Sequence, residues 1–442
     1  MRYSTGDSYD FSGSEVRTDI DLSQFDGLEV VAAFETAKEQ REQIIFKVGV
    51  GGSILSPMVL HEGVLYFGCA DKNFYAVDTN GKELWRYGTE GAITGRANVR
   101  DGVVCFGSYD SSLYCTTLKG KLLFKFATEG KILSTPNIDK DRVYVGSRDG
   151  NLYSINLNTG KETWRYMTSE GISGGVIHKD GVIVFGSDDM NLYGVNEDGG
   201  LLWRFPINEK SMSIVDPEKL VFNDTIAIGC WDFNMYCIRL DGNLAWKFRA
   251  KDVTYYPAVH IGRTYFGSRD GNLYCVDARA GREKWRFPTG GYVATQPLVR
   301  DGRIYFGSGD CNLYCLSLDG KELWRFPTGG PLVSSPAMDE KGIYFGSWDC
   351  NLYAVSHEGK LLWKFPTSLS YQSSIDLEST KARETAHQVV WSEVGERPDR
   401  YDQNLPGRLS DYGDGLDTYQ SIGSKTYMAG TEKKYKPKSE YR

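Results

Sequence analysis

The sequence has no long hydrophobic run and no excess of positive charge. Across its 442 residues, no uninterrupted apolar stretch reaches the roughly 18 residues of a membrane-spanning helix. The N-terminal segment "MRYSTGDSYDFSGSEVRTD" has no apolar region of the kind found in signal peptides. The formal net charge is −7. This charge argues against a general nucleic-acid binder, because such binding depends on neutralising phosphates with Lys and Arg.

Metal-binding and catalytic motifs are also missing. The nine cysteines include no adjacent pair and no paired cluster, and the five histidines are scattered. We therefore expect no zinc centre, no catalytic histidine site and no bound cofactor. Free thiols, without a disulfide framework, are expected, and the predicted location is the cytoplasm.

Glycine and aromatic residues are abundant instead. The chain has 50 Gly and 28 Tyr, and aromatic residues make up 13% of it. Glycine turns between aromatic and β-branched runs favour short strands over helices.

One segment of about forty residues recurs eight times. Its anchor is the glycine of "FGS" and related triplets, at Gly68, Gly107, Gly146, Gly186, Gly229, Gly267, Gly307 and Gly346. An Asp follows three residues later, a Tyr seven residues later, and an aromatic residue closes each unit. Those closing residues are Trp85, Phe124, Trp164, Trp203, Trp246, Trp285, Trp324 and Trp363. Each unit contains four β-like runs, here called A to D, separated by turn signals. Four antiparallel strands repeated radially predict an all-β, eight-bladed β-propeller.

The unit "VYVGSRDGNLYSINLNTGKETWRY" at 143–166 resembles the PQQ-like (pyrroloquinoline-quinone-type) propeller repeat. That repeat occurs in quinoprotein dehydrogenases and in BamB-type assembly lipoproteins. The resemblance implies an eight-bladed ring in which the closing aromatic residue of each unit docks onto the next blade.

The repeat divides the chain into three parts. We predict an N-terminal extension over 1–43 with a short helix within 27–43, a propeller over 44–367, and a polar, Tyr-rich C-terminal extension over 368–442. "IIFKVGVGG" at 44–52 resembles one more D strand. The ring is therefore closed either by that strand or by Trp363, and the sequence leaves both alternatives open.

Residues that recur in every blade are interpreted as scaffold, so function is sought where the blades differ. B–C and D–A turns share one face of an up-and-down ring. The variable residues there include Trp, Tyr and Arg, which are common at interface hot spots. The candidate partner-binding face comprises Tyr109, Arg148, Trp231, Arg269, Trp348, Tyr255, Tyr256 and Tyr292. The alternative, equally weighted, is that these side chains only stack on neighbouring turns.

The predicted function is a non-catalytic scaffold that binds a protein partner through this face and through its tails. A nucleic-acid contact is considered only at the basic C-terminal tip, "KTYMAGTEKKYKPKSEYR". Two alternatives stay open. One is a quinoprotein-like oxidoreductase that binds pyrroloquinoline quinone and calcium, and the other is a sensor of a small ligand or glycan.

Overall fold

The computed structural model describes residues 52–209 and 224–367 in full. Outside these ranges it gives the backbone of five short strands, Asp10–Phe11, Ser14–Glu15, Glu29–Phe34, Ile44–Gly49 and Val221–Phe222. The chain divides into two units, Met1–Gln372 and Ser373–Arg442. The second unit, and with it the predicted extension over 368–442, lies outside the described residues.

The first unit contains eight four-stranded sheets, each built from consecutive strands, and two two-stranded sheets nearer the N-terminus. In order A to D, the strands are Val59–His61, Val64–Gly68, Asn73–Asp78 and Glu83–Gly88 (blade 1); Asn98–Arg100, Val103–Ser108, Ser112–Thr117 and Leu122–Ala127 (blade 2); Asn137–Asp139, Arg142–Gly146, Asn151–Asn156 and Glu162–Met167 (blade 3); Ile177–Lys179, Val182–Ser187, Asn191–Asn196 and Leu201–Pro206 (blade 4); Val221–Phe222, Thr225–Gly229, Asn234–Arg239 and Leu244–Arg249 (blade 5); Ala258–His260, Arg263–Gly267, Asn272–Asp277 and Glu283–Pro288 (blade 6); Leu298–Arg300, Arg303–Gly307, Asn312–Ser317 and Glu322–Pro327 (blade 7); and Ala337–Met338, Ile343–Gly346, Asn351–Val355 and Leu361–Pro366 (blade 8). All neighbouring strands within a blade are antiparallel; blade 6 is one example. The predicted eight-bladed propeller is confirmed.

Burial follows the position of each strand in the blade. In blade 6, strand B (Arg263–Gly267) and strand C (Asn272–Asp277) are almost continuously buried, whereas strand D (Glu283–Pro288) alternates between exposed and partly buried residues. Apolar runs covered on both faces suit strands between two neighbouring blades. Alternation suits an outer strand with one face in water. The A strands contact one another around the ring, so they are innermost.

The hydrophobic core lies between blades. Phe74 of blade 1 stacks on Phe106 of blade 2 with ring centroids 4.0 Å apart. Phe106 in turn stacks on Tyr114 within its own blade at 5.5 Å. Since every blade buries its faces against two neighbours, the ring is stabilised as one closed set of interfaces.

The closing aromatic residue of each repeat lies against the next blade. In seven blades the indole Nε1–H donates to a backbone carbonyl of the neighbouring blade at 2.7 to 3.1 Å. Phe124 of blade 2 packs at the equivalent place but has no N–H to donate. A C–D turn glycine of the next blade faces each of these rings. At Gly320, for example, φ is +81°, and an added Cβ would lie 2.8 Å from the Trp285 ring.

Blade 8 closes the ring with its own D strand. Trp363 donates from Nε1 to the Thr79 carbonyl of blade 1 at 3.1 Å. The strand Ile44–Gly49 pairs instead with Glu29–Phe34 in a separate two-stranded sheet. Of the two open alternatives, closure by Trp363 is therefore the one observed.

Two sequence-based expectations are wrong. Glu29–Phe34 is a strand and not part of a helix, since its "EVVAAF" run has adjacent β-branched residues and a strand partner. Cys105 and Cys115 form a disulfide, because they lie directly opposite each other on strands B and C of blade 2. The spacing of the cysteines along the chain did not reveal this register. The other seven cysteines, all within the described residues, are not part of a disulfide.

Candidate interaction face

The B–C turns place one variable residue per blade at the mouth of the central channel. In seven blades the backbone N–H of this residue donates to a carbonyl of the preceding D–A loop. Tyr109 bonds to Ala92 at 2.9 Å, and Gly309 bonds to Tyr292 at 2.7 Å. B–C turns and D–A loops therefore alternate around one face, as the order of antiparallel strands requires.

The repeated aspartate holds this turn in place. In blade 7, Asp310 accepts the Asn312 backbone N–H at 3.1 Å and the Tyr314 hydroxyl at 2.7 Å. Its Oδ2 also accepts the Gly290 N–H of the preceding D–A loop at 2.8 Å. The Tyr–Asp bond is present in all eight blades, at 2.6 to 2.9 Å. The repeated aspartate carboxylates therefore serve as hydrogen-bond acceptors that stabilise the turns of the propeller.

One part of the face is aromatic. Val253, Tyr255 and Ala294 are buried there, and Trp231, Phe233, Tyr256, Tyr292 and Val333 pack around them with part of each side chain exposed. We call these eight residues the aromatic sector. They come from the B–C turn of blade 5 and from the loops that enter blades 6, 7 and 8.

Glycine shapes this sector at one point. The Tyr292 ring lies across the backbone of Gly309, where a Cβ would be 2.6 Å from a ring carbon. The turn residue of blade 7 therefore has no side chain, and the space is taken by the Tyr292 ring.

Tyr255 and Tyr256 differ from the residues found at the equivalent positions of the D–A loops that lead into strand A of the other blades. Counted from the loop residue whose carbonyl accepts the B–C turn N–H, the position of Tyr256 is occupied by Ser56, Gly95, Ser134, Gly174, Thr295 and Ser334 in other blades, and the blade 6 loop is one residue shorter before strand A. Burial raises the pKa of Tyr256 to about 12, and the Tyr109 phenol adds to this rise. Tyr109 belongs to blade 2, which faces blade 6 across an eight-bladed ring. The pKa of Tyr256 thus responds to a residue in a blade on the opposite side of the ring.

Four of the eight predicted face residues lie outside the aromatic sector. Lys131 Nζ lies 5.2 Å from the centre of the Tyr109 ring. Arg148 pairs with Asp188 at 3.9 Å, and Arg269 pairs with Asp252 at 3.6 Å. Trp348 is partly buried on the blade 8 turn. The other four, Trp231, Tyr255, Tyr256 and Tyr292, are brought together by the fold.

Phe233 and Val333 were not identified from the sequence. Phe233 lies one residue beyond the repeated Asp232, at a position that varies widely between blades. Its backbone has φ of +71°, and Arg249 lies 5.5 Å from its ring centre. An aromatic side chain at a left-handed turn position was the available signal, because such a conformation is uncommon outside Gly, Asn and Asp.

Polar side chains that line the channel form hydrogen bonds with the backbone of the propeller. The buried hydroxyls of Ser134, Thr295 and Ser334 each donate to a backbone carbonyl at 2.7 to 3.1 Å. Among the described residues, the one group of three His, Cys, Asp or Glu side chains close enough to share a metal ion is Asp139, His178 and Glu197. This group lies at the opposite end of the A strands.

The described part of the chain contains no helix with the length and hydrophobicity needed to cross a bilayer. Fold and face together define an eight-bladed propeller of PQQ-like repeats that displays an aromatic patch. The family model described as outer membrane protein assembly factor BamB matches residues 70–214 and 234–392, and the chain belongs to this family. None of the curated proteins matches it.

Solved structures share the fold at low sequence identity. The computationally designed Ika8 protein has a TM-score of 0.60 at 14% identity, covering 72% of this chain and 96% of its own. BamB from Moraxella catarrhalis has a TM-score of 0.54 at 16% identity, with coverage of 68% and 91%. A europium-containing methanol dehydrogenase has a TM-score of 0.57 at 14% identity, with coverage of 68% and 84%. At these identities the likeness shows the fold alone.

Proposed function

We propose that this protein is a non-catalytic scaffold that binds a protein partner over the aromatic sector. Its family is described as an assembly factor, which supports a role in holding other proteins. Since one fold hosts many functions, the proposal depends on the site itself.

The observation that carries the proposal is the concentration of aromatic side chains in one part of the face. Trp231, Tyr256 and Tyr292 pack together yet keep part of their surface exposed. Blade closure does not require Tyr255 or Tyr256, because other blades have small or aliphatic residues at these two loop positions. Large, rigid, amphipathic side chains at a shared patch are typical of interface hot spots.

The remaining face has the character of a polar rim. Arg148 and Arg269 pair with acidic neighbours, and Lys131 lies over Tyr109. A central apolar patch bordered by such polar groups is the usual composition of a protein-protein interface. We further propose that the N- and C-terminal extensions supply a second attachment to the partner.

The proposal is tested by crosslinking from the full-length protein in its native host. A photoreactive amino acid replaces Tyr292 in one variant and Leu202 in another. Leu202 is 51% exposed at the outer strand of blade 4 and serves as the matched control. We expect a discrete protein adduct from position 292 and none of the same mass from position 202.

A second variant identifies the residues responsible. The double change Tyr255→Leu and Tyr256→Ser installs residues that sibling blades already use, so the fold should be retained. It should abolish the adduct formed from position 292, because it removes two aromatic rings from the sector. An adduct that persists in this variant, or that forms equally from position 202, would contradict the proposal.

Absence of catalysis is part of the same proposal. Adding pyrroloquinoline quinone and Ca²⁺ to the full-length protein should give neither dye reduction nor a rise in melting temperature, because a ligand that binds only the native state must raise stability. Reduction of the dye by an added alcohol would instead support an oxidoreductase.

The cytoplasmic location stays a prediction, and the Cys105–Cys115 pair provides its test. Disulfides persist mainly in oxidising compartments. Protein from the native host, trapped with an alkylating reagent and examined by mass spectrometry, should show this pair reduced if the location is correct. A fully oxidised pair would place the protein in an oxidising compartment.

A further inference from the structure

Three ligating side chains converge on the face opposite the aromatic sector. Asp139 ends strand A of blade 3, His178 lies in strand A of blade 4, and Glu197 follows strand C of blade 4. His178 Nδ1 is 3.1 Å from Asp139 Oδ2, and His178 Nε2 is 3.1 Å from Glu197 Oε1. One ligand atom from each residue lies within 4.8 Å of the other two.

His178 replaces an apolar residue of the repeat, and Glu197 is the one carboxylate among the residues that accept a docking indole N–H in the described blades. His178 pairs with Ile183 across strands A and B, and the same register elsewhere holds Leu60, Val99, Ile138, Val259, Val299 and Met338. Glu197 supplies the carbonyl that accepts the Trp164 indole N–H, a place taken elsewhere by Leu118, Leu240, Ala278, Leu318, His357 and Thr79.

The apolar residues at these two places pack together in other blades. Val99 and Leu118 belong to one cluster, and Val299 and Leu318 belong to another. Blade 4 therefore has an imidazole where the other blades have an apolar side chain, and a carboxylate where they have an aliphatic residue, Thr79 or His357. The scaffold does not account for their presence.

The imidazole is buried and incompletely bonded. The His178 side chain is only 9% exposed. Among the described residues, no group forms a hydrogen bond with its buried Nε2, although Glu197 Oε1 is close by. A neutral imidazole whose proton is on Nδ1, towards Asp139, presents an Nε2 lone pair to a carboxylate. Two facing acceptors repel each other unless a cation lies between them.

The surroundings leave room for that cation. Glu197 is 44% exposed, so water can complete the coordination shell. Lys140 Nζ lies 3.8 Å from Glu197 Oε1 and is 74% exposed, so its charged end can move towards solvent, whereas Arg100 Nη1, 3.9 Å from Asp139 Oδ1, also donates to the Ile138 carbonyl at 3.1 Å.

We propose that Asp139, His178 and Glu197 bind one divalent first-row transition-metal ion, with Zn²⁺ as the reference. An imidazole nitrogen with carboxylate oxygens suits such ions better than Ca²⁺ or Mg²⁺, which prefer oxygen alone. Because Asp139 belongs to blade 3 and the other two residues belong to blade 4, the ion links two blades. This site is separate from the aromatic sector and independent of the proposed function.

Metal binding is measured on the full-length protein by titration with Zn²⁺ against a chromophoric chelator, and by Co²⁺ absorption. We expect one ion per chain, without the near-ultraviolet band of a Co²⁺–thiolate bond. His178→Val and Glu197→Leu, which restore residues used by sibling blades, should each weaken binding by about 10-fold or more. They should also abolish the rise in melting temperature that Zn²⁺ causes.

His61→Gln is the matched control, since His61 also lies in a strand A, next to Glu62 at 3.9 Å. It should leave the affinity unchanged. Two separate variants keep the test decisive if one of them fails to fold. The proposal is overturned if the wild type binds no ion, if both folded variants bind within twofold of the wild type, or if Co²⁺ shows thiolate ligation.

Discussion

The aromatic residue that docks each blade onto the next should contribute unequally around the ring. We compare Trp246→Phe with Trp324→Phe. Both indoles donate to a carbonyl of the next blade, at 2.8 Å for Trp246 and 3.0 Å for Trp324. Trp246 is only 7% exposed, whereas Trp324 is partly exposed. The two acceptors also differ, and this difference sets the expected magnitudes.

The two variants differ in whether the acceptor carbonyl keeps another hydrogen-bond donor after the indole is removed. The His357 carbonyl that accepts from Trp324 also accepts from Arg303 at 2.8 Å, so it stays bonded in Trp324→Phe. That lost bond costs about 1 kcal/mol, and the smaller ring at a half-exposed site costs about 0.5 kcal/mol. In Trp246→Phe, the Ala278 carbonyl loses the one side-chain donor it has among the described residues, at about 2 kcal/mol. Reduced burial adds about 1 kcal/mol.

Trp246→Phe should therefore lower the free energy of unfolding by about 3 kcal/mol, and Trp324→Phe by about 1.5 kcal/mol. Urea unfolding followed by far-UV circular dichroism measures both values. Phe124→Trp supplies the reverse change, because the Leu157 carbonyl occupies the acceptor position, and it should stabilise by about 1 kcal/mol. Equal costs for the two Trp variants, within about 0.5 kcal/mol, would refute the reasoning from acceptor satisfaction.

Three further predictions concern turns and pH. Gly320→Ala should destabilise by about 2 kcal/mol more than Gly302→Ala, because both glycines have positive φ but only Gly320 faces an indole; thermal unfolding of the two variants checks this. Gly309→Ala should displace the side chain at position 292, which lies across it, and weaken crosslinking from a photoreactive residue placed there, while leaving the unfolding midpoint within a few degrees. Burial acts to raise the pKa of Asp189, but hydrogen bonds from Tyr193 and its neighbours outweigh this effect and leave the pKa lowered. Asp189 therefore contributes stability above its unfolded pKa of about 3.9 and loses it as pH falls through the lower folded pKa, so Tyr193→Phe should flatten the acid side of the stability profile measured by urea unfolding. An unchanged acid slope would show that the tyrosine does not set this pKa.

The fold could be predicted because the sequence repeats the same pattern of residues in every blade. Eight copies of Gly, Asp, Tyr and Trp at fixed offsets specify the same strands and turns each time, so local chemistry and global architecture agree. The Trp that closes each unit could be assigned to the next blade only through the resemblance. The C–D turn glycines that face those indoles were not identified, because contact between them depends on how two blades pack.

The candidate face was predicted only in part. Turn position placed Trp231 and Tyr292 on the same side as Tyr109 and Arg148, since strand order fixes which turns share a face. It did not indicate that Trp231 joins an aromatic sector while Arg148 pairs with Asp188. Those outcomes depend on distances between blades, which sequence separation does not encode.

By itself, the sequence determined the number of blades, the strands within each, and the positions at which one blade departs from the others. Only the tertiary structure showed which of these variable residues lie close together in space. Asp139, His178 and Glu197 are spread over 59 positions of the chain, and Cys105 opposes Cys115 only through strand register. The physical reason is that a repeat fixes local backbone geometry, whereas a site requires side chains from different blades to reach one point in space.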